Sequence, residues 1–159
     1  MGTYHYGILA YGYGLGCSEQ VDVKEVDQYG GLTLSWLKRD EDGWATENVA
    51  EALTRRLYES IPDADQGNTD SYDQEQVVKD RLGVKILEHG WLVEGDTASY
   101  ALIASEKQAA GGDVELIDLD ERTDLAKRKD FDGKLAKALE ILGITPVQEK
   151  PSWLLMASR

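Results

Sequence analysis

Apolar positions change their spacing several times along the chain, and each change marks a different element. Near the start, Tyr4, Tyr6, Ile8 and Ala10 alternate with His5, Leu9, Tyr11 and Tyr13. A period of two puts the two sets on opposite faces of a first strand, and both faces have side chains to bury. Val21, Val23 and Val26 suggest a short extended piece, and "GLTLSWL" from Gly31 to Leu37 reads as a further strand before the polar turn "KRDEDG". From Thr46 the period becomes helical: Val49, Leu53, Leu57 and Ile61 fall four apart, Thr46 is placed to cap the start, and Pro62 ends the run. After the acidic loop "PDADQGNTDSY", Asp73 and Gln76 resemble a capping box opening a shorter helix through Val77, Val78 and Leu82, with Gly83 as its stop.

The middle of the chain turns to β. "VKILEHG", "WLVEG", "TASYALIAS" and "DVELIDL" are short runs parted by glycine-containing turns, the spacing of an antiparallel meander. "DGKLAKALEILG" then sets Leu135, Ala138, Leu139 and Leu142 on one helical face, Gly143 suits a left-handed cap, Pro146 follows, and "SWLLMAS" closes as a strand. The expected fold is α+β, a mostly antiparallel sheet with about three helices packed mainly on one face, and residues 1–159 form a single domain. "SYALIAS" and "SWLLMAS" share serine, aromatic, leucine, alanine and serine in register. Consecutive apolar residues in both predict two central strands covered on both faces. The helices cover one face, leaving loops, a curled sheet or a second subunit for the other, and a homodimer is the expectation that follows.

Charge narrows the function classes. Thirty Asp and Glu oppose seventeen Lys and Arg for a net −13, and the segment from Asp40 to Asp80 holds twelve acids against Arg55, Arg56 and Lys79. Such a surface repels a phosphate backbone, so direct nucleic-acid binding is not expected. Cys17 is the single cysteine, which excludes an intrachain disulfide and a clustered-thiolate metal site. No apolar stretch reaches the roughly 18 residues of a membrane span, and no secretory leader pattern opens the chain, so a soluble, cytoplasmic protein without membrane contact is expected.

Known catalytic and cofactor patterns fail on spacing. In "GILAYGYGLG", Gly12, Gly14 and Gly16 are followed by Cys17 and an alternating, strand-like stretch, so no helix N-terminus faces a pyrophosphate, and the glycines are expected to let an aromatic strand bend and pack closely. Counted from Asp63, the acidic loop has Gly67, Asn68 and Gln74 where a calcium loop needs an acid or Asn, Gly and Glu in turn. A Cys17 nucleophile would need His5 or His89 beside it, and no G-x-S-x-G elbow exists. No cofactor, metal or catalytic residue is assigned.

The aromatic balance carries more: eight Tyr and four Trp against the single Phe131. Tyr and Trp suit half-wet positions where proteins meet, whereas core packing alone would not avoid Phe. Tyr4, Tyr6, Tyr11, Tyr13, Trp36 and Trp44 are therefore the candidate binding residues of a non-catalytic accessory or regulatory protein acting through a protein partner. The alternative is an acidic nucleic-acid mimic that sets Asp63, Asp65, Asp70 and Asp73 into the basic groove of a defence or DNA-processing enzyme. A small hydrolase using carboxylates is the third reading.

The opening "YHYGILAYG", the middle "RLGVKILEHG" and above all the ending "KLAKALEILGITPVQEKPSWLLMAS" make the chain similar to a group of small uncharacterised proteins of actinobacteria and their phages. The resemblance rests on packing features spread over most of the length. It implies a phage or mobile-element origin and no particular catalytic or binding residues.

Overall fold

The computed structural model describes residues 6–64, 70–90 and 98–157. Four strands form one antiparallel sheet: β1 (Tyr6–Cys17), β2 (Lys85–His89), β3 (Ser99–Ala110) and β4 (Ser152–Ala157), in the order β2-β3-β1-β4. Four helices accompany it: α1 (Val49–Glu59), α2 (Ser71–Leu82), α3 (Leu119–Arg128) and α4 (Phe131–Leu142). The α+β class and the antiparallel sheet are as expected; the helix count is one higher.

The additional helix lies next to the segment read as a strand. "DVELIDL" alternates apolar and polar residues, but Val114 and Leu116 stand in solvent and Asp118 accepts the Glu121 amide at 3.0 Å, so its last part becomes the cap and first residue of α3. The Asp-x-x-Glu cap outweighs the alternation because it satisfies amides that would otherwise lack partners. "GLTLSWL" forms no strand either. Both sides of β1 are taken by β3 and β4, so Leu34 turns down into the helix-side core and only an isolated bridge joins Val26 to Leu32. "WLVEG" lies outside the described residues.

The caps move by a few residues. Asn48, not Thr46, caps α1, its side chain accepting from Ala50 N at 2.8 Å, while Thr46 N–H donates to the Lys38 carbonyl. Asp70, not Asp73, caps α2 and receives the Asp73 amide at 2.9 Å. Gly83 and Gly143 end α2 and α4 in left-handed conformations, as their sequence positions predict.

One sheet face carries Tyr13, Leu15, Ile86, Tyr100 and Leu102, which pack with Leu53, Leu57 and Tyr58 of α1, Val78 of α2 and Leu135, Ala138 and Leu142 of α4. The opposite face carries Ile8, Ala10, Leu87, Ala101 and Ile103, all buried, with Tyr6, Leu154 and Met156 against them. Every described member of this second cluster lies on a strand. Register shows how it closes: Tyr6 pairs with Ala110 and His89 with Ser99, eleven residues away along β3. A straight strand would hold those ends on the order of 35 Å apart. The Tyr6 and His89 rings instead meet edge to face with centroids 5.2 Å apart. The sheet is therefore strongly curled around its helix-free face.

Two irregularities bend β1 against β3. Tyr11 pairs with Ser105 and Gly12 with Ile103, which leaves Ala104 as an extra residue, and a second shift falls between Gly14 and Cys17. At the first, the strands approach so closely that a Cβ on Gly12 would collide with the Leu102 carbonyl oxygen and lie 2.8 Å from Ile103 Cα. Gly12, and Gly16 at φ 82°, thus serve close packing and bending, whereas Gly7 and Gly14 leave room for a Cβ. The curled strands bury the core of this second face, so of the three covers the sequence left open the curled sheet is present. Of the two strands expected to be central, β3 is so and β4 is an edge, with Leu155 81% exposed.

Candidate binding cleft

Between β1 and α1 the chain makes two turns of the same construction. In the first, Asp27 Oδ1 accepts the amides of Tyr29 (2.8 Å) and Gly31 (3.0 Å), while Gly30 N–H donates to the Asp27 carbonyl and Asp27 N–H to that of Gly31. In the second, Asp40 Oδ1 accepts the amides of Asp42 (3.0 Å) and Trp44 (2.7 Å), Gly43 N–H donates to the Asp40 carbonyl and Asp40 N–H to that of Trp44. Gly30 and Gly43 adopt φ of 82° and 86°. An aspartate that binds its own turn, followed three residues later by a left-handed glycine, gives a tight hairpin that other residues adopt poorly. Isolated bridges flank each turn, Val26 with Leu32 and Arg39 with Ala45.

The turns are tied to each other and to the fold. Arg39 donates from Nη1 to the Gly43 carbonyl at 2.9 Å and from Nη2 to the Leu32 carbonyl, so one guanidinium spans both arms. The strand leading to the first turn is held by the bridge of Val23 to Pro146 and by Thr145, whose amide and hydroxyl each reach Glu25 at 2.7 Å. Burial works against the charged form of Glu25, and the Thr145 bonds outweigh it, holding that carboxyl below its ordinary range. Behind the second turn, Arg55 grips Glu47 through two bonds of 2.8 and 2.9 Å and Glu59 through a third.

The arms enclose a cleft of about 450 Å³ lined by the apolar residues Val21, Leu32, Leu37, Ala45 and Val49 together with Tyr29 and Trp44. Tyr29 is 88% exposed and Trp44 73%. A second cleft of about 400 Å³, lined by Glu19, Asp22 and Val147, shares Val21, Asp27, Tyr29 and Gly30 with the first. Tyr29 thus lines both clefts, which adjoin each other and are together called the groove below.

Of the six aromatics named from sequence, the five described do not assemble into one surface. Tyr13 is buried in the helix-side core. Trp36 packs on the same core, donates from Nε1 to the Leu142 carbonyl at 2.9 Å and lies under the Arg56 guanidinium. Tyr11 contacts Trp153 and Phe131 and donates to Asp132 at 2.7 Å; burial first, then that bond, pushes its ionisation up to about 12. Tyr6 sits on the opposite sheet face against His89, and Tyr4 lies outside the described residues. Trp44 alone of the five described lines the groove. Tyr29 was missed, although the repeated Asp-x-x-Gly at Asp27 and Asp40, each with an aromatic beside the glycine, was the available signal.

Of the four acids, Asp70 is engaged as the α2 cap, Asp73 follows in the first turn of that helix, Asp63 occupies a left-handed turn at φ 64°, and Asp65 lies outside the described residues. Cys17 and His89 each pair with Ser99 from opposite sides, two strand spacings or roughly 10 Å apart. Among the described residues neither nitrogen of the His89 imidazole has a hydrogen-bond partner, so Cys17 and His89 form no hydrogen-bonded nucleophile and base pair. Among the described residues no group of three or more His, Cys, Asp or Glu is placed to hold a metal ion, and no helix is long and apolar enough to cross a membrane. No known protein family, curated protein or solved structure matches the chain.

Proposed function

We propose that this chain is a non-catalytic accessory or regulatory protein that docks a protein partner in the groove between its twin turns, with Tyr29 and Trp44 as the principal contacts. The observation that carries this reading is the pairing of two highly exposed aromatic side chains with backbones fixed by Asp27 and Asp40 in a cleft also lined by apolar residues. Large rings held on rigid turns offer contact area at little ordering cost, the property of residues that dominate binding energy. Of the acids in the acidic loop, Asp70 is committed to capping α2.

Affinity capture from a native host, using the wild type, Trp44→Ala, Tyr29→Ala and a variant with Asp63, Asp65, Asp70 and Asp73 all changed to Asn, separates the readings. The expected result is loss of the partner with either aromatic variant and its retention with the Asn variant. Loss only with the Asn variant, with duplex DNA displacing the partner, refutes groove docking in favour of the nucleic-acid mimic.

A further inference from the structure

We infer that the groove takes a basic, extended peptide segment, with a lysine or arginine side chain held between Tyr29 and Trp44 and its charge met by Asp42; this rests on the docking reading above. The groove is built for that chemistry in three respects. Its walls carry five carboxylates, Glu19, Asp22, Asp27, Asp42 and Glu47, against the single guanidinium of Arg39. Arg39 is turned inward onto the Leu32 and Gly43 carbonyls, and Glu47 is matched by Arg55 and Lys38, so the excess that remains is acidic. Asp42, at the tip of the second turn, binds that turn through its amide, has no carboxylate partner among the described residues and lines the same cleft as Trp44.

The Tyr29 and Trp44 rings supply the second element. The faces of Trp and Tyr attract cations while their bodies accept the aliphatic stem of a long basic side chain. The third element is length. Two adjoining clefts of about 450 and 400 Å³ that share Tyr29 offer more room than one side chain needs, and acids line both, from Glu19 to Asp42. A phosphate-bearing or acidic ligand is disfavoured by those walls, and by a net charge of −13 on the whole chain.

The test titrates the full chain with a synthetic octapeptide of alternating lysine and alanine, and with its glutamate counterpart, followed by calorimetry at moderate salt. The lysine peptide is expected to bind and the glutamate peptide not. Trp44→Ala is expected to weaken binding roughly tenfold, and Tyr29→Ala and Asp42→Asn several-fold each. Asp120→Asn with Asp124→Asn, which removes two charges from α3 where Asp42→Asn removes one, is expected to leave affinity unchanged within about twofold. Diffuse attraction overturns the inference: the α3 variant then weakens binding as much as Asp42→Asn, and Trp44→Ala binds like the wild type. If the lysine peptide fails to bind while a captured partner still depends on Trp44, docking stands and the basic ligand is wrong. If neither depends on Trp44, both fall.

Discussion

Gly12→Ala tests the curl of the sheet. At the bulge opposite Ala104, a methyl group at position 12 would strike the Leu102 carbonyl oxygen and lie 2.8 Å from Ile103 Cα and 2.9 Å from Leu102 C. Optimal carbon contacts are about 3.5 to 4 Å, so β1 and β3 must part by the better part of an ångström, and backbone cannot rotate away as a side chain does. Overpacking of this kind costs about 1–3 kcal/mol, and the ladder bonds strained beside it add about 1 kcal/mol each, so a net loss of about 3–5 kcal/mol is expected. The same strand supplies the controls. A Cβ on Gly7 would lie 3.9 Å from the Met156 carbonyl, and one on Gly14 would lie 3.6 Å from Gln148 Oε1, both ordinary contacts. Relief of glycine's unfolded-state entropy makes those substitutions neutral or stabilising by up to about 1 kcal/mol, the opposite sign. Urea unfolding reads the difference. With m of about 2 kcal/mol per molar, Gly12→Ala should lower the midpoint by about 1.5–2.5 M, and Gly7→Ala and Gly14→Ala should not. A Gly12→Ala midpoint within about 0.3 M of the parent, at unchanged m, would refute the close approach and the bend built on it.

Two further outcomes follow from the geometry. Gln148 continues the β1 ladder beyond the last β4 pair, accepting the Gly14 amide at 2.9 Å and donating to the Gly12 carbonyl at 2.9 Å and the Lys150 carbonyl at 2.6 Å. Gln148→Ala leaves those groups unpaired and should cost about 2–3 kcal/mol in thermal or urea unfolding; Gln148→Glu, which can still accept but no longer donate, should recover only part. A loss under about 0.5 kcal/mol for Gln148→Ala would show that water replaces the amide freely. The Tyr11 hydroxyl ionises at about 12 in the fold, above the ordinary value of about 10. Since the folded value is the higher one, the stability it contributes is complete below about pH 10 and is lost as pH rises towards 12. The wild type should therefore weaken over that window and Tyr11→Phe less steeply; an identical decline in both proteins would exclude Tyr11 as a source.

The local elements were legible in the chain because local chemistry makes them. The four-residue spacing of Val49, Leu53, Leu57 and Ile61, the pattern around Leu135, Ala138 and Leu142, and glycine stops at Gly83 and Gly143 act within a few residues, and α1, α2 and α4 follow them closely. The alternation of β1 and the consecutive apolar run of β3 likewise marked two strands with two faces to bury, and the excess of Tyr and Trp drew attention to Trp44. Periodicity has no term for partners. It could not say that Leu34 would find both sides of β1 occupied and turn into the core, or that β4 would be an edge despite its apolar run. Nor could it separate aromatics that fill the interior, Tyr13 and Trp36, from those left at the groove, because burial depends on which distant segment arrives. Tertiary structure alone brought Tyr6 onto His89 across the length of the sheet, and set two Asp-Gly turns thirteen residues apart in sequence on one groove. The bend at Gly12 decides the first and the Arg39 bridge between the arms the second, each a contact whose partner the local sequence does not contain.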